Sequence, residues 1–352
     1  DEDLYNEYKE KFPELAAELD EVLSREDIKH LSKESFSFKN VGETQATRNS
    51  SQDAINSIAK VLPTFFGGSA DLSHSNMTFI KGDSLQDDAH RTERNIQFGV
   101  REFAMATVLN GMMLHGGVRV FGGTFFVFSD YLKAALRLSA LQNLPVTYVF
   151  THDSIAVGED GPTHEPIEHL ASLRTIPNTY VFRPADATET QAAWYLAQNV
   201  NDKPTSIVLT RQNLPVLENS SFEKVAKGAY VVYETSSDFD TILIATGSEV
   251  ALAINVAQEL EKESMKVRVV SMPSIELFEE QTSEYKEALL PRSIRRRVSL
   301  EMGNTALWYK YVGLDGLAIG IDKFGASAPA NKVIEEYGFS VEKVVARIKN
   351  EL

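Results

Sequence analysis

Short runs of consecutive apolar residues, separated by stretches of helical periodicity, constrain the fold of this chain more than any other feature. The run at 146–150, for example, reads Val-Thr-Tyr-Val-Phe and has no regular alternation of apolar and polar residues. Such a run is typical of a parallel strand that helices cover on both faces. Similar runs lie at 61–66, 118–121, 179–182 and 206–210. Their alternation with helical patterns predicts an α/β fold built on an open, mainly parallel sheet.

The alternating pattern breaks once and then resumes, which predicts two α/β domains. The break lies at 214–221, where Pro215, Asn219 and paired serines are typical of a loop between domains. We predict a first domain at 35–217 and a second at 218–352, since a chain of 352 residues has room for about two domains of ordinary size. The elements predicted for the second, smaller open sheet are strands at 240–245, 267–271, 298–300 and 317–321 and a helix at 249–263.

The sequence of residues 1–34 predicts a charged helical linker. Their sequence is rich in Asp, Glu and Lys, and apolar residues recur in it at helical spacing. The apolar positions are Leu4, Tyr8, Phe12, Leu15 and Leu19. This spacing predicts amphipathic helices that pack against another surface.

The charge balance excludes some classes of partner. The chain has 50 acidic and 35 basic residues and a formal net charge of -15, so it lacks the general basic field that nucleic acid or an anionic membrane would attract. If a sugar phosphate binds, arginine and histidine side chains must reverse the field locally. The absence of cysteine excludes a disulfide framework and a catalytic thiol. We find neither a signal peptide nor a membrane-spanning apolar stretch, and we predict a cytoplasmic protein.

The segment 151–164 carries the polar residues that are best suited to chemistry. It reads Thr-His-Asp-Ser-Ile-Ala-Val-Gly-Glu-Asp-Gly-Pro-Thr-His and directly follows the apolar run at 146–150. Open parallel sheets bind ligands at the carboxyl ends of their strands, so this loop is a candidate site, although a solvated turn would look similar. The spacing of His152, His164 and His169 matches no familiar pattern of metal ligands, and we predict no metal site in this chain.

The same segment resembles the signature loop of transketolases, which contains Gly-Glu-Asp-Gly-Pro-Thr-His as it stands here at 158–164. The resemblance extends over nearly the whole chain. The other matching segments are Phe-Gly-Gly-Ser-Ala-Asp-Leu at 66–72, Gly-Val-Arg-Glu at 99–102, the aromatic segment 125–131, Arg-Pro-Ala-Asp at 183–186 and Ser-Ala-Pro at 327–329. This resemblance implies the pyrimidine-binding domain of a thiamine-diphosphate enzyme followed by a transketolase C-terminal domain. The implied reaction is the reversible transfer of a two-carbon ketol group from a ketose phosphate to an aldose phosphate in the pentose phosphate pathway.

The resemblance gives Glu102, at the start of a helix predicted at 101–114, a catalytic role. In similar enzymes a glutamate hydrogen-bonds the ring nitrogen of the cofactor's aminopyrimidine and favours the imino tautomer, whose nitrogen removes the thiazolium proton. The carboxyl must then be protonated near neutral pH, which burial against the apolar ring favours. From the residues alone, Glu102 would be an ordinary first-turn glutamate stabilised by the helix dipole. His164 is the second residue for which the resemblance implies a catalytic role.

Phe125, Phe128 and Tyr131 recur at a spacing of three after the apolar run at 118–121. The spacing puts ring faces on one side of a helical turn or loop, where aromatic stripes usually belong to the core. The resemblance implies instead that these rings sandwich the aminopyrimidine, and that Asp71 lies near the cofactor and the facing subunit. The predicted cofactor-binding residues are therefore Asp71, Glu102, Phe125, Phe128 and Tyr131.

Basic and polar side chains that suit a sugar phosphate form the third group. The substrate-binding residues that the resemblance implies are Arg48, Ser75, His152, Asp160, His164 and Arg211. In relatives, the counterparts of the two arginines, the serine and His164 bind the phosphate end of the sugar, where a guanidinium can contact two phosphate oxygens. The counterparts of His152 and Asp160 face the sugar hydroxyls or the cofactor. Asp160 matches the residue that selects the configuration of the hydroxyl beside the carbonyl.

The motif that holds the cofactor's diphosphate is missing from the sequence. In thiamine-diphosphate enzymes a Gly-Asp-Gly sequence, followed further along the chain by Asn-Asn or a near variant, binds the divalent ion. We therefore expect thiamine diphosphate to contact this chain at its pyrimidine end only, and Mg²⁺ or Ca²⁺ to be bound by a domain that the chain lacks. The implied assembly is a homodimer, or a pair with a partner chain that supplies the diphosphate-binding domain. The isolated chain is expected to be inactive.

Several alternatives stand beside this interpretation. The chain could be a truncated transketolase or the natural second subunit of a split one, and the charged segment 1–34 favours truncation. Dihydroxyacetone synthase, deoxyxylulose-phosphate synthase and the second subunit of a 2-oxo-acid dehydrogenase are related thiamine enzymes, but the 160–164 loop and the phosphate-binding set favour transketolase over them. Outside the enzymes, the alternative is a non-catalytic dimerising module. For the C-terminal domain we predict a structural role only.

Overall fold

A helical hairpin begins the computed structural model, which describes residues 2–352. The elements of this region are α1 (Glu2–Lys11), α2 (Pro13–Ser24) and two 3₁₀ turns at Glu26–His30 and Lys33–Ser35. Pro13 suits the start of α2, because the N–H that proline lacks has no helical acceptor at that position. The helices expected for 1–34 are present, with residue 1 outside the described residues.

The apolar side chains of the hairpin are not covered within the described part of the chain. Ala16 is the one buried residue of the two helices, whereas Leu4, Phe12 and Leu15 are exposed. The expectation that these helices pack against another surface is therefore not met within residues 2–352. The helices mainly contact each other and the turn that follows them.

A buried ion pair attaches the turn after the hairpin to the first sheet. Asp27 accepts hydrogen bonds from Nη2 of Arg119 at 2.7 Å and from its Nε at 3.2 Å, and both side chains are buried. Arg119 also donates to the backbone carbonyls of Arg25 and Gln198. The turn is therefore held by charge-assisted hydrogen bonds together with the burial of Leu31 in the core, whereas the apolar faces of the two helices stay exposed.

Helices and parallel strands alternate through the first α/β unit, as the sequence predicts. Its elements in chain order are β1 (Thr44–Ala46), α3 (Thr47–Val61), β2 (Phe65–Ser69), α4 (Ser73–Asn76), β3 (Asn95–Gln97), α5 (Glu102–His115), β4 (Arg119–Phe125), α6 (Ser129–Leu141), β5 (Thr147–Thr151), α7 (His169–Arg174), β6 (Tyr180–Phe182), α8 (Ala187–Asn199), β7 (Thr205–Leu209) and β8 (Asn213–Pro215). Six strands form one parallel sheet in the order β3-β2-β4-β5-β7-β6. Every residue of β5 and β7 is buried, which explains why their sequences do not alternate.

Two predicted boundaries in this unit differ from the structure. The apolar run at 61–66 is not one strand, because its first residue still belongs to α3 and the strand begins at Phe65. The loop predicted at 214–221 begins inside β8, which pairs with β1 in an antiparallel ribbon. This ribbon joins the beginning of the unit to its end. Each of its strands has only 3 residues, too few for a recognisable period.

A second, smaller sheet follows in chain order. The elements of this unit are β9 (Tyr230–Glu234), β10 (Thr241–Ala245), α9 (Glu249–Lys262), β11 (Val267–Ser271), α10 (Ile275–Glu279), α11 (Ser283–Leu289), β12 (Arg296–Leu300), α12 (Tyr309–Val312), β13 (Leu317–Ile319), α13 (Ala330–Glu336) and α14 (Val341–Glu351). The strand order is β13-β12-β10-β11-β9, and the edge strand β9 alone is antiparallel to its neighbour. The predicted α/β class with two open, mainly parallel sheets is confirmed. None of the helices in residues 2–352 combines the length and the apolar character that a membrane span requires.

One buried arginine connects the two units. Arg183, which follows β6, is fully buried and lies 2.7 Å from the carboxylate of Asp153 in the first unit. In the second unit it pairs with Glu249 and donates hydrogen bonds to the hydroxyl and the carbonyl of Thr246 at 2.9 and 3.0 Å. The guanidinium therefore exchanges its lost hydration for charge-assisted hydrogen bonds to both units.

A second buried ion pair extends this contact. Arg174 in α7 donates two hydrogen bonds, of 2.7 and 2.9 Å, to Glu301 directly after β12. The hydroxyl of Thr246 donates to the same carboxylate at 2.5 Å. Burial alone would raise the pKa of Glu301, but Arg174 and Arg183, together with this hydroxyl, lower it to about 2. Glu301 is therefore ionised at neutral pH and holds Arg174 at the boundary.

We expect Arg183→Ala to lower the free energy of unfolding by about 3–5 kcal/mol, because Asp153 and Glu249 would be left buried without a counter-charge. Urea-induced unfolding at neutral pH measures the change. Arg295→Ala is the control, since Arg295 is exposed and pairs with the exposed Asp315, and its effect should stay within about 0.5 kcal/mol. A loss below about 1 kcal/mol for Arg183→Ala would show that this ion pair does not hold the units together.

Candidate active site

The loops that follow five parallel strands emerge at one edge of the first sheet. Because β2, β3, β4, β5 and β7 belong to one parallel sheet, their carboxyl ends lie at the same edge, where such sheets bind ligands. All predicted site residues except Arg48 lie at or after these ends: Asp71 and Ser75 after β2, Glu102 after β3, Phe125, Phe128 and Tyr131 from the end of β4, His152, Asp160 and His164 after β5, and Arg211 after β7.

Arg48 reaches the same edge from the start of α3. The residue before it, Thr47, exchanges hydrogen bonds with Thr210 after β7. The Thr210 amide donates to Thr47 Oγ1 at 2.7 Å, and the Thr47 amide donates to Thr210 Oγ1 at 3.1 Å. This reciprocal pair brings Arg48 next to Arg211. Arg48 also donates to the carbonyl of Ser75 at 2.9 Å, which joins two of the predicted phosphate-binding residues.

The two guanidiniums give the site positive charge. Arg211 is exposed and donates to the carbonyl of Val157 at 3.0 Å. Burial, and then repulsion from Arg211, lowers the pKa of Arg48. The buried Nε of Arg48 has no hydrogen-bond acceptor among residues 2–352. Two neighbouring like charges with an unused donor are the arrangement expected where an anion binds.

His152 lies beside these arginines and is buried. Its ring centroid is 4.8 Å from that of Phe125, and its Nδ1 has no hydrogen-bond partner within the described chain. Burial lowers the pKa of His152 to about 3, and Arg48, Arg211 and His164 add to this effect. The imidazole is therefore neutral at neutral pH, with one donor and one acceptor nitrogen. The arginine–histidine cluster is the name used below for Arg48, His152, His164 and Arg211.

Aromatic rings line the site next to the histidines. The centroids of Phe125 and Phe128 are 6.2 Å apart with their planes at 28°, and those of Phe128 and Tyr131 are 6.0 Å apart. The ring of His164 contacts both phenylalanines, with centroid distances of 6.2 and 5.5 Å. Tyr131 is 67% exposed, and neither phenylalanine is fully buried. These three aromatic residues, called the aromatic wall below, are therefore accessible at the edge of the sheet and are not part of the core.

Three predicted carboxylates lie at the same edge without joining the cluster. Asp71 is exposed and has a φ of 63°, in the left-handed region that Asp tolerates better than most side chains. Glu102 is the first residue of α5 and is half-buried. Asp160 is exposed in the loop after β5. Within residues 2–352, no side-chain hydrogen bond links any of the three to the arginine–histidine cluster.

Comparison with known protein families decides the affiliation of the chain. Residues 43–216 match the family model for the pyrimidine binding domain of transketolase, and residues 228–340 match that for the transketolase-like TK C-terminal domain. The chain belongs to the transketolase family. A probable transketolase from Streptococcus pneumoniae is 66% identical over 347 residues, which cover 99% of this chain and 53% of that protein. The chain spans about half the length of the curated transketolases it matches.

Solved transketolase structures share the fold. A transketolase from Pichia stipitis in complex with sedoheptulose 7-phosphate is 40% identical with a TM-score of 0.93, and the match covers 99% of this chain and 52% of that one. A structure described as a split gene transketolase, inactive beta4 tetramer, is 25% identical with a TM-score of 0.70, and the match covers 87% of this chain and 98% of that one. The resemblance to transketolases and the fold it implies are confirmed.

Three residues near the candidate site of this transketolase-family chain are not predicted from the sequence to have a role there. Arg183 lies in a matching segment, but no pattern reveals its partners. Glu165 is buried directly after His164, and its one local sign is an acidic residue beside the apolar Pro166 and Ile167. Ser327 contacts the loop after β5 from a position 168 residues further along the chain. Contacts of this range become visible only in the folded structure.

One group of side chains in the described part of the chain is close enough to be considered as a metal site. Its ligand atoms belong to Asp130, Glu168 and His169 and lie within 4.8 Å of one another. Asp130 approaches Nε2 of His169 at 3.3 Å, whereas Glu168 approaches Nδ1 at 3.9 Å. The carboxylates therefore flank opposite ring nitrogens, which fits a carboxylate–imidazole contact better than shared ligation of one ion.

We expect the ring of His152 to stay neutral from about pH 8 to about pH 5, because burial lowers its pKa to about 3. Since the folded pKa lies below the ordinary value of 6.5, the unfolded state takes up the proton first, and the neutral ring's contribution to stability is lost as the pH falls from about 6.5 towards 3. Ring-proton NMR spectra, assigned by comparison with His152→Gln, measure the titration. A His152 resonance that titrates with a midpoint near pH 6 would contradict the prediction.

Proposed function

We propose that the complete protein is a transketolase that transfers a two-carbon ketol group between sugar phosphates, and that this chain supplies the pyrimidine side of its active site. The observation that carries the proposal is the arginine–histidine cluster beside the aromatic wall. In a chain with a net charge of -15, such a local reversal of charge is suited to an anionic sugar. Because the chain spans about half of its relatives, the proposal concerns the protein that contains both halves. We place the reaction in the pentose phosphate pathway and in the cytoplasm.

The residues at the edge of the sheet fit the pyrimidine end of thiamine diphosphate. The aromatic wall offers ring faces for stacking and is open to solvent at Tyr131. Glu102 would hydrogen-bond the pyrimidine ring nitrogen, and Asp71 would lie near the cofactor. When bound, thiamine diphosphate would supply the nucleophilic carbon for ketol transfer. We assign no residue of this chain to the diphosphate or to Mg²⁺ or Ca²⁺, whose ligands would belong to the other half of the protein.

The arginine–histidine cluster would bind the sugar phosphate. Arg48 and Arg211 present guanidinium groups that can each contact two phosphate oxygens, and Ser75 lies beside Arg48. The neutral ring of His152 can donate to one sugar hydroxyl and accept from another. Asp160, at the exposed part of its loop, would select the configuration of the hydroxyl beside the carbonyl. The Pichia stipitis transketolase in complex with sedoheptulose 7-phosphate supports this class of substrate.

An exposed apolar helix face supports a partner at the open side of the site. Phe103, Val108 and Leu114 of α5 are exposed, although this helix is apolar on nearly all sides. Another surface usually covers an apolar helix face of this kind. We propose that the occupant is the diphosphate-binding half, carried by a second copy in a homodimer or by a partner chain. The split gene transketolase described as an inactive beta4 tetramer supports assembly of chains of this extent.

We expect the isolated chain to transfer no ketol groups when supplied with thiamine diphosphate and Mg²⁺, because the other half would make most charge-assisted contacts to the cofactor. Adding a separately produced diphosphate-binding half of the Streptococcus pneumoniae relative should restore turnover in a coupled assay. Glu102→Gln should abolish this recovery, whereas Glu168→Gln, which removes an exposed carboxylate outside the site, should leave it unchanged. Turnover by the pure chain would contradict the proposal, and binding of the added half without turnover would support the dimerising module.

We expect Arg211→Ala to raise KM for a ketose phosphate by about ten- to a hundredfold in the complemented enzyme, because hydrogen bonds to charged groups contribute about 1.5–3 kcal/mol. The change in KM should disappear when the same reaction is measured with an unphosphorylated ketose. Arg295→Ala, which removes an exposed arginine from the second unit, is the matched control. An equal loss with both ketoses would show that Arg211 does not contact the phosphate.

A further inference from the structure

The loop that carries the predicted sugar-binding residues is held in place by the second α/β unit. We call residues 158–164 the substrate loop. Ser327 donates a hydrogen bond from its Oγ to the carbonyl of Glu159 at 2.7 Å. Helix α13 also packs against the 3₁₀ turn Ile155–Val157, directly before the loop. The loop therefore leaves the first sheet and rests on residues of the other unit.

Two glycines let the substrate loop approach the second unit at van der Waals distance. Gly158 has a φ of 82°, and a Cβ at this position would lie 3.0 Å from the amide nitrogen of Ala330 and 3.2 Å from the carbonyl oxygen of Ala328. Gly161 has a φ of 76°, and a Cβ there would lie 3.0 Å from the Cβ of Ser327. Both the backbone conformation and the close neighbours disfavour a larger residue at these positions. The loop backbone and the segment 325–330 are thus in direct contact.

A buried carboxyl completes this contact at the end of the loop. Glu165 is 2% exposed, and the amide of Ala326 faces its carboxyl, although neither carboxylate oxygen makes a hydrogen bond of good geometry within residues 2–352. One oxygen lies so close to Gly325 that a Cβ at that position would overlap with it. Burying a polar group without a partner is unfavourable, and an ionised group more so. The carboxyl therefore makes the contact between the loop and the segment 325–330 sensitive to its charge.

We propose that the segment 325–330 of the second unit positions the substrate loop, and that Ser327 and Glu165 are the positioning residues. This role goes beyond the structural one predicted for the C-terminal domain. Ser327 fixes the loop backbone through Glu159, the neighbour of Asp160. Glu165 fixes the end of the loop next to His164. The bearing of this contact on substrate binding rests on the function proposed above, whereas the contact itself does not.

The ionisation of Glu165 gives the contact a pH dependence. Burial raises the pKa of Glu165 to about 7, the amide of Ala326 opposes this shift, and the charge of Asp160 adds to it. Tyr337 is a titratable neighbour on the second unit, and its own pKa is raised by burial and by the charge of Glu165. In an opened loop the carboxyl returns to its ordinary pKa of 4.5. The stabilisation by the neutral carboxyl is therefore fully present below about pH 4.5 and is lost as the pH rises through about 7.

Hydrogen–deuterium exchange of peptides that contain the substrate loop tests the proposal on the chain itself. Rates are compared between variants at the same pH, so that the intrinsic pH dependence of exchange cancels. Ser327→Ala should accelerate exchange of the loop by about two- to tenfold at every pH, as expected for one lost hydrogen bond. Loop exchange in Glu165→Gln should differ least from that of the wild type at about pH 4.5 and should be at least about tenfold slower than that of the wild type above about pH 7. Glu168→Gln removes an exposed carboxylate three residues after Glu165 and is the control. Its loop should exchange at the wild-type rate at every pH.

An unchanged rate of loop exchange in Ser327→Ala would overturn the proposal. So would a ratio of the wild-type exchange rate to the Glu165→Gln exchange rate that does not vary with pH. Urea unfolding of each variant separates a local effect from a global one, since loop exchange should change while the free energy of unfolding stays within about 1 kcal/mol. If loop exchange in a variant becomes faster only as much as its lower free energy of unfolding predicts, the residue has no positioning role.

The complemented enzyme tests whether the position of the loop matters for substrate. Ser327→Ala should raise KM for a ketose phosphate several-fold with little change in kcat, and the KM of Glu165→Gln should rise less than that of the wild type as the pH passes about 7. A normal KM in Ser327→Ala together with faster loop exchange would contradict the link to substrate. If the wild-type chain gives no turnover after complementation, the proposed function fails, while the exchange result still decides the contact.

Discussion

Burial of the Arg183 guanidinium between the two α/β units is the interaction on which the geometry of the candidate site most depends. Its partner Asp153 directly follows His152 in the sequence, so the arginine fixes the end of β5 at the place where the site begins. Its other partners lie in the second unit, Thr246 directly after β10 and Glu249 at the start of α9. A buried ion pair becomes strongly unfavourable as soon as one partner moves away. This contact therefore favours one relative position of the two units and, through Asp153, one position of His152.

Burial also determines the charges of the side chains in the candidate site. A chain with a net charge of -15 repels sugar phosphates unless positive groups are concentrated locally. Arg48 and Arg211 provide that charge without ion-pair partners within residues 2–352, and their mutual repulsion is the kind of strain that a bound anion relieves. Burial keeps His152 neutral beside them, so the ring adds a donor and an acceptor without adding a third positive charge. The cluster is thus polar enough for an anion and is only moderately self-repelling in its absence.

The sequence predicts those elements whose pattern is local. The strands around 146–150 and 267–271 are recognisable because both faces are buried, and the order of the loops along the chain follows from the parallel sheet. The run at 61–66 is misread because Val61, the last residue of α3, and Leu62 after it are apolar like the strand that begins at Phe65, so one apolar run includes the end of a helix and the start of a strand. The ribbon of β1 and β8 has no such pattern. No local pattern shows that Arg48 and Arg211 meet, because their proximity depends on hydrogen bonds between Thr47 and Thr210, 163 positions apart; only the resemblance to transketolases implies it.

Two residues in segments that match the transketolase family lie outside the arginine–histidine cluster but support its surroundings. Arg183 and Ser327 would touch neither the sugar phosphate nor the cofactor in the proposed function, yet each holds in place a neighbour of a predicted site residue. Arg183 acts through Asp153 on the end of β5, and Ser327 acts through the carbonyl of Glu159 on the loop that follows. Ser327 crosses the boundary between the units directly, and Arg183 crosses it through its contacts with Thr246 and Glu249. The second unit therefore takes part in building the candidate site although it contributes no predicted catalytic side chain. It contacts the loop after β5 directly through Ser327, and it holds Arg183, which pairs with Asp153 at the start of that loop.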